Sequence, residues 1–131
     1  MKRRGILNAQ LSAVLASLGH TDEIAIGDSG LPIPDHVETV DLAVVLGVPS
    51  FESVLLAVAE ELVVEHVTVT FETERKNSKT WRLIEDTFPD VDRKAVDHEE
   101  LKRRLQEVRA VVRTGEATPY ANVILGCGVA Y

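Results

Sequence analysis

Histidine, aspartate, tyrosine and asparagine recur in two short stretches near opposite ends of the chain. One is Leu18-Gly19-His20-Thr21-Asp22 followed by Gly27-Asp28-Ser29-Gly30-Leu31-Pro32, and the other is Arg113-Thr114-Gly115-Glu116-Ala117-Thr118-Pro119-Tyr120-Ala121-Asn122. Each places hydrogen-bonding side chains in a Gly/Pro turn directly beside an apolar run, the usual position for functional loops on a rigid scaffold. The two stretches therefore read as one polar site. His20 adds a group able to trade protons near neutrality, because an unperturbed imidazole titrates at about 6.5. Asp28, when ionised, offers several lone pairs and charge-assisted bonds to hydroxyl donors. Asn122 both donates and accepts, and Tyr120 presents a flat apolar face with a phenolic hydroxyl at its edge.

The same residues have plainer readings. A loop histidine such as His20 serves equally as surface or as a capping partner, and Asp28 before Ser-Gly initiates a turn through its own side chain. His98, preceded by Asp97 and followed by two glutamates, reads as a helix-start residue. Tyr120 after Pro119 reads as loop packing, Asn122 as a turn residue and Glu116 as exposed loop. His36 and His66 read as structural. Cys127 has no neighbouring Cys or His at metal or redox spacing and reads as a small buried hydrophobe.

The elements that must position these groups follow from periodicity. Leu7, Leu11, Val14, Leu15 and Leu18 recur at helical spacing, with Gly19 placed to end the helix. Glu23 to Gly27 is a short buried strand delivering Asp28 into a turn, and Val37 to Val44 reads as another strand. Ser50 caps a helix carrying Val54, Leu55, Val58, Ala59 and Leu62. The β-branched run Val63 to Phe71 favours a strand. Asn77 or Ser78 caps a helix with Trp81, Leu83, Ile84 and Phe88, stopped by Pro89, and Asp97 caps a charged helix that starts at His98 and carries Leu101 and Leu105. Ala110 to Arg113 and Val123 to Gly126 are short apolar strands joined by the loop from Thr114 to Asn122. This alternation predicts an α/β layered domain with a mixed β-sheet flanked by helices.

With 131 residues the chain is expected to form a single domain over 1–131. The 14 Lys+Arg against 21 Asp+Glu give a formal charge of -7, which disfavours nucleic-acid binding because the basic residues barely cluster. A single cysteine excludes an intramolecular disulfide and fits a reducing compartment, with cytoplasm the default. The basic start Met1-Lys2-Arg3-Arg4 leads into an amphipathic pattern rather than a signal-peptide core, and no run approaches transmembrane length.

The joint order of Gly5-Ile6-Leu7-Asn8, Leu18-Gly19-His20-Thr21-Asp22, Asp28-Ser29-Gly30-Leu31-Pro32, Gly47-Val48-Pro49-Ser50-Phe51 and Arg113 to Asn122 resembles the ribose branch of the ribose pyranase/fucose mutarotase family over nearly the whole chain. The resemblance implies a cytoplasmic enzyme that interconverts the pyranose and furanose rings of D-ribose, without a cofactor, and supplies the furanose to ribokinase. It also implies a mixed-sheet fold and a ring-shaped homo-oligomer, octamer or decamer, with sugar sites near subunit boundaries. Carried over by position, His20 matches the proton donor, and Asp28, His98, Tyr120 and Asn122 match the sugar contacts. Whether His98 binds a hydroxyl or carries a second proton stays open.

Three rivals remain. A metal-dependent isomerase is disfavoured because no HxxH, HxH or HExxH spacing occurs. A non-catalytic sugar-binding module would use the same side chains without turnover. A fucose-type mutarotase would use similar acid–base chemistry on a different sugar.

Overall fold

The structure is a computed structural model describing residues 1–131. Its elements in chain order are α1 (Ala9–Ser17), β1 (Glu23–Gly27), β2 (Glu38–Asp41), α2 (Phe51–Ala59), β3 (Val64–Thr70), α3 (Phe71–Lys76), α4 (Ser78–Thr87), β4 (Asp92–Val96), α5 (His98–Arg104), β5 (Ala110–Arg113) and β6 (Val123–Cys127). The strands form one sheet in the order β2-β5-β1-β6-β3-β4. β6 runs antiparallel to both its neighbours, β1 and β3, while the remaining pairings are parallel. The sheet is therefore mixed, with helices on its faces.

The central strands β5, β1 and β6 are largely apolar because both of their faces are covered. Successive residues of a strand point to opposite sides, so Ile24 and Ile26 of β1 join one core with Leu11, Phe51, Leu55 and Val58, while Ala25 between them joins a second with Leu101 and Leu105. β6 divides the same way, Val123 and Leu125 against Ile124. No helix is long and apolar enough to cross a membrane.

The caps expected at Ser50, Asn77 and Asp97 are in place, and α1 is capped by Asn8, which the sequence did not single out. Asn8, Ser50, Asn77 and Asp97 each accept a hydrogen bond from a backbone N–H in the first turn of α1, α2, α4 and α5. Three expectations are corrected. Leu7 lies before the Asn8 cap, off the helical face, and is 64% exposed. The strand expected from Val37 to Val44 is only Glu38–Asp41, since β5, its sole partner in the sheet, is itself short and the chain then turns through Gly47 at φ +85°. The run ending at Phe71 gives up its last residue to α3, which Thr70 caps by accepting from Thr73 N.

β4 was not expected at all. Asp92-Arg93-Lys94-Ala95-Val96 lacks apolar alternation because it is an edge strand paired only to β3, where charged side chains discourage further pairing.

Candidate functional site

The C-terminal ends of the parallel strands β1, β3 and β4 and the start of antiparallel β6 lie together, since Thr70 pairs with Val96 and Ile26 pairs with Val123. Ligands in open α/β sheets gather outside the carboxyl ends of parallel strands. Asp28 follows β1, Tyr120 and Asn122 precede β6, and His98 follows β4, so four of the five expected site residues meet at this edge.

Asp28 is held from three sides. Its N–H donates to Asn122 Oδ1 at 3.1 Å, its Oδ1 accepts from Gly30 N at 3.0 Å, and the next residue's N–H, Ser29 N, donates to Glu116 O at 3.0 Å. The turn-initiating role of Asp28 is thus real, and it coexists with a half-buried carboxylate. Burial pushes the Asp28 carboxyl above its usual value, against the opposing pull of Gly30 N–H, the Asn122 side chain and the nearby His98. Gly27 permits the close approach of this turn to β6, because a Cβ there would sit 3.0 Å from Asn122 Oδ1.

Asn122 is fully buried, and its Nδ2 has no hydrogen-bond partner. The amide lies near enough to favour the charged form of Asp28 without completing a bond to it. His98 Nδ1 is likewise buried and unpaired, whereas Arg104 Nε, the third such atom, retains Glu100 Oε1 at 3.3 Å. Native interiors rarely leave such groups unsatisfied. Two of them lie beside the half-buried Asp28 carboxylate, leaving unmet hydrogen-bonding capacity at this edge of the sheet. The Tyr120 ring stands edge-on to His98, with centroids 5.2 Å apart.

α3, which sequence reasoning missed, sets the posture of both rings. Glu72 Oε2 accepts from His98 N at 2.9 Å, and Thr73 Oγ1 donates to Tyr120 O at 2.8 Å. Asn77 Nδ2, just past α3, donates to Pro119 O at 2.9 Å. Tyr120 needs this restraint because its φ of +62° is unfavourable for a non-glycine residue. The signal that could have found α3 is its charge order: Glu72 and Glu74 in the first turn, Arg75 and Lys76 in the last, complementing the helix dipole.

His20 is elsewhere: within one chain the two stretches bring the other four residues together but not this one. It precedes β1, whereas Asp28 follows it, so the five-residue strand separates them by roughly 17 Å at about 3.3 Å per residue. The ring is exposed, with Nε2 3.1 Å from Glu65 Oε2. His66, read as structural, bonds Glu23 Oε1 through Nε2 at 3.0 Å. Cys127 is buried, and desolvation, with Asp22, Glu23 and Glu65 nearby, pushes its thiol up to about 11, in keeping with an unreactive core residue. No three His, Cys, Asp or Glu side chains are grouped to hold a metal ion.

Residues 1–130 match the RbsD / FucU transport protein family. The chain belongs to that family. Within it, the chain is 49% identical to the D-ribose pyranase of Bacillus cytotoxicus and 47% identical to that of Clostridium perfringens, each over 131 residues and the full length of both proteins. It superposes on the structure of Bacillus subtilis RbsD complexed with D-ribose with a TM-score of 0.96 at 44% identity, covering all of both chains. The fucose mutarotase of Streptococcus pneumoniae, solved with L-fucose, shares the fold at a TM-score of 0.81 and 20% identity over 95% of each chain.

Proposed function

We propose that this protein is a D-ribose pyranase, an isomerase that exchanges the pyranose and furanose ring forms of D-ribose. The observation that carries this is the end-to-end likeness to Bacillus subtilis RbsD, whose structure holds D-ribose, at 44% identity. The distant fucose mutarotase supports the fold alone.

Changing ring size requires opening one hemiacetal and closing another. The anomeric hydroxyl loses its proton as the bond from C1 to the ring oxygen breaks, and that oxygen takes up a proton, giving the open aldehyde. Reclosure through a different hydroxyl reverses the transfers. Asp28 accepts sugar hydroxyls, Asn122 Nδ2 and His98 Nδ1 supply the unpaired polar atoms, and the Tyr120 face covers the C–H side of the ring. His20 exchanges the proton.

Because His20 lies at the other end of β1, it serves this site from a neighbouring copy in a closed homo-oligomeric ring. An apolar groove of about 520 Å³, lined by Ile6, Leu7, Leu42, Val44 and Pro49 among others, supports self-association, as do the exposed Val45, Leu46 and Leu56. The reaction calls for no cofactor, and the single reduced cysteine accords with the cytoplasm.

The test is magnetisation transfer between resolved anomeric signals of ribose. Wild-type protein should accelerate exchange without altering the equilibrium ratio, and His20→Ala should slow it by about 10²–10⁴, the contribution of a positioned acid–base group. A spontaneous rate unchanged by wild-type protein would defeat the proposal. Faster exchange of fucose than of ribose would reassign the chain to the mutarotase branch.

A further inference from the structure

We infer that Glu65 is a positioning residue for His20: its carboxylate fixes which imidazole nitrogen carries the proton and so which one faces the sugar. The inference rests on the reading that His20 carries the proton step.

Glu65 Oε2 lies 3.1 Å from His20 Nε2. An ionised carboxylate only accepts, so the hydrogen between them belongs to Nε2, and the neutral ring keeps Nδ1 as its free acceptor. Nδ1 is then the atom that takes the proton from the anomeric hydroxyl and, as imidazolium, delivers it to the ring oxygen as the C1–O bond breaks; reclosure through another hydroxyl runs the same two transfers in reverse. The carboxylate steadies the imidazolium that exists in between, the role of the acidic partner wherever histidine is oriented by a carboxylate.

Backbone irregularities on both sides of the pair aim it. Val64 pairs with Cys127 but His66 pairs with Gly126, so Glu65 is the extra residue of a β-bulge in β3. Bulges re-aim side chains, and this one turns Glu65 toward the loop before β1. That loop is itself held: Thr21 has φ +72° and donates to Cys127 O at 3.0 Å, while Asp22 Oδ2 accepts from Gly19 N and from Arg109 Nη1, both at 2.8 Å. Two unusual backbone sites thus converge on one exposed His20–Glu65 hydrogen bond, which a casual surface contact would not require.

The other charges near His20 are already engaged. Asp22 is paired with Arg109, and Glu23 with His66 Nε2 at 3.0 Å, while Glu65 Oε1 is only loosely placed against His66 Nδ1 at 4.0 Å. The buried Cys127 thiol stays neutral.

The experiment compares assembled wild-type protein with Glu65→Gln and Glu65→Asp, by ribose exchange kinetics and by ¹⁵N shifts of the His20 ring. A carboxamide can offer an N–H where the carboxylate cannot, so in Glu65→Gln the two His20 tautomers should mix. Its kcat should fall between about 10-fold and 100-fold, a part of what the acid–base group supplies, with KM for ribose unchanged, since the sugar contacts lie elsewhere. Glu65→Asp keeps the charge and should recover most of the rate and the Nε2-protonated signature. A Glu65→Gln variant with wild-type kcat and an unaltered His20 ¹⁵N pattern would overturn the assignment. Failure of the underlying reading is distinct: wild-type protein itself would then leave ribose exchange at its spontaneous rate.

Discussion

Asp28 carries two opposing demands in one carboxylate. Burial raises its pKa above the ordinary 3.8, so folding favours its protonated form, whereas the proposed sugar contacts need the ionised form. A raised carboxyl contributes stability that is fully present below the unfolded pKa and is lost as pH rises through the folded value. Ribose affinity should move the other way, weakening as pH falls through that raised value while an ordinary aspartate is still ionised. Calorimetric titration from neutral to mildly acid pH checks this. Asp28→Asn should weaken ribose binding by about 1.5–3 kcal/mol, the range for hydrogen bonds to charged groups, and flatten the acid dependence. Unchanged affinity in that variant would remove Asp28 from the site. The residue types were legible because His, Asp, Tyr and Asn in Gly/Pro turns advertise polar function, but the unpaired state of Asn122 Nδ2 was not, since it depends on how distant segments pack around it.

At the scale of elements, what sequence revealed tracks what is encoded locally. β1, β5 and β6 showed themselves because burial on both faces demands continuous apolar runs, and Ser50, Asn77 and Asp97 because a cap is a one-residue signal. β4 stayed hidden because its reason lies outside it, in an open sheet edge, and α3 because a six-residue helix with only a charge order to mark it is masked by the β-branched run that it continues. α3 is the more consequential omission, since its buried Thr73 hydroxyl joins Thr70 Oγ1 and Tyr120 O, each at 2.8 Å. Thr73→Val keeps the shape but strands the Tyr120 carbonyl, a loss of roughly 1–3 kcal/mol. Denaturant unfolding should register that loss, and ribose binding should weaken while the rate at saturating ribose holds. Thr73→Ser, which retains the hydroxyl, should bind ribose as wild type does. If Thr73→Val matches wild type in both unfolding midpoint and affinity, α3 does not restrain Tyr120.

At the scale of the whole molecule, the decisive fact is that β1 holds His20 and Asp28 at opposite ends. Folding one chain cannot bring them together, because the sheet is rigid and each residue is tied into its own hydrogen-bonded turn. No periodicity or motif reports this, since the two stretches are close in sequence and their separation is a property of the strand between them. The proposed site therefore calls for a second copy, and the exposed apolar groove is the surface proposed for it. Light scattering should find an oligomer, and a stable monomer at micromolar concentration that still exchanges ribose would refute the arrangement. Complementation gives the sharper test. His20→Ala and Asp28→Asn subunits, each impaired alone, should regain activity when co-expressed, because in an equal random mixture about one quarter of the shared sites pair an intact His20 with an intact Asp28. Recovery near that fraction requires the two residues to act across a subunit boundary. Activity no higher than the mean of the separate variants would return both residues to one chain, and the fold would then have to explain how they meet.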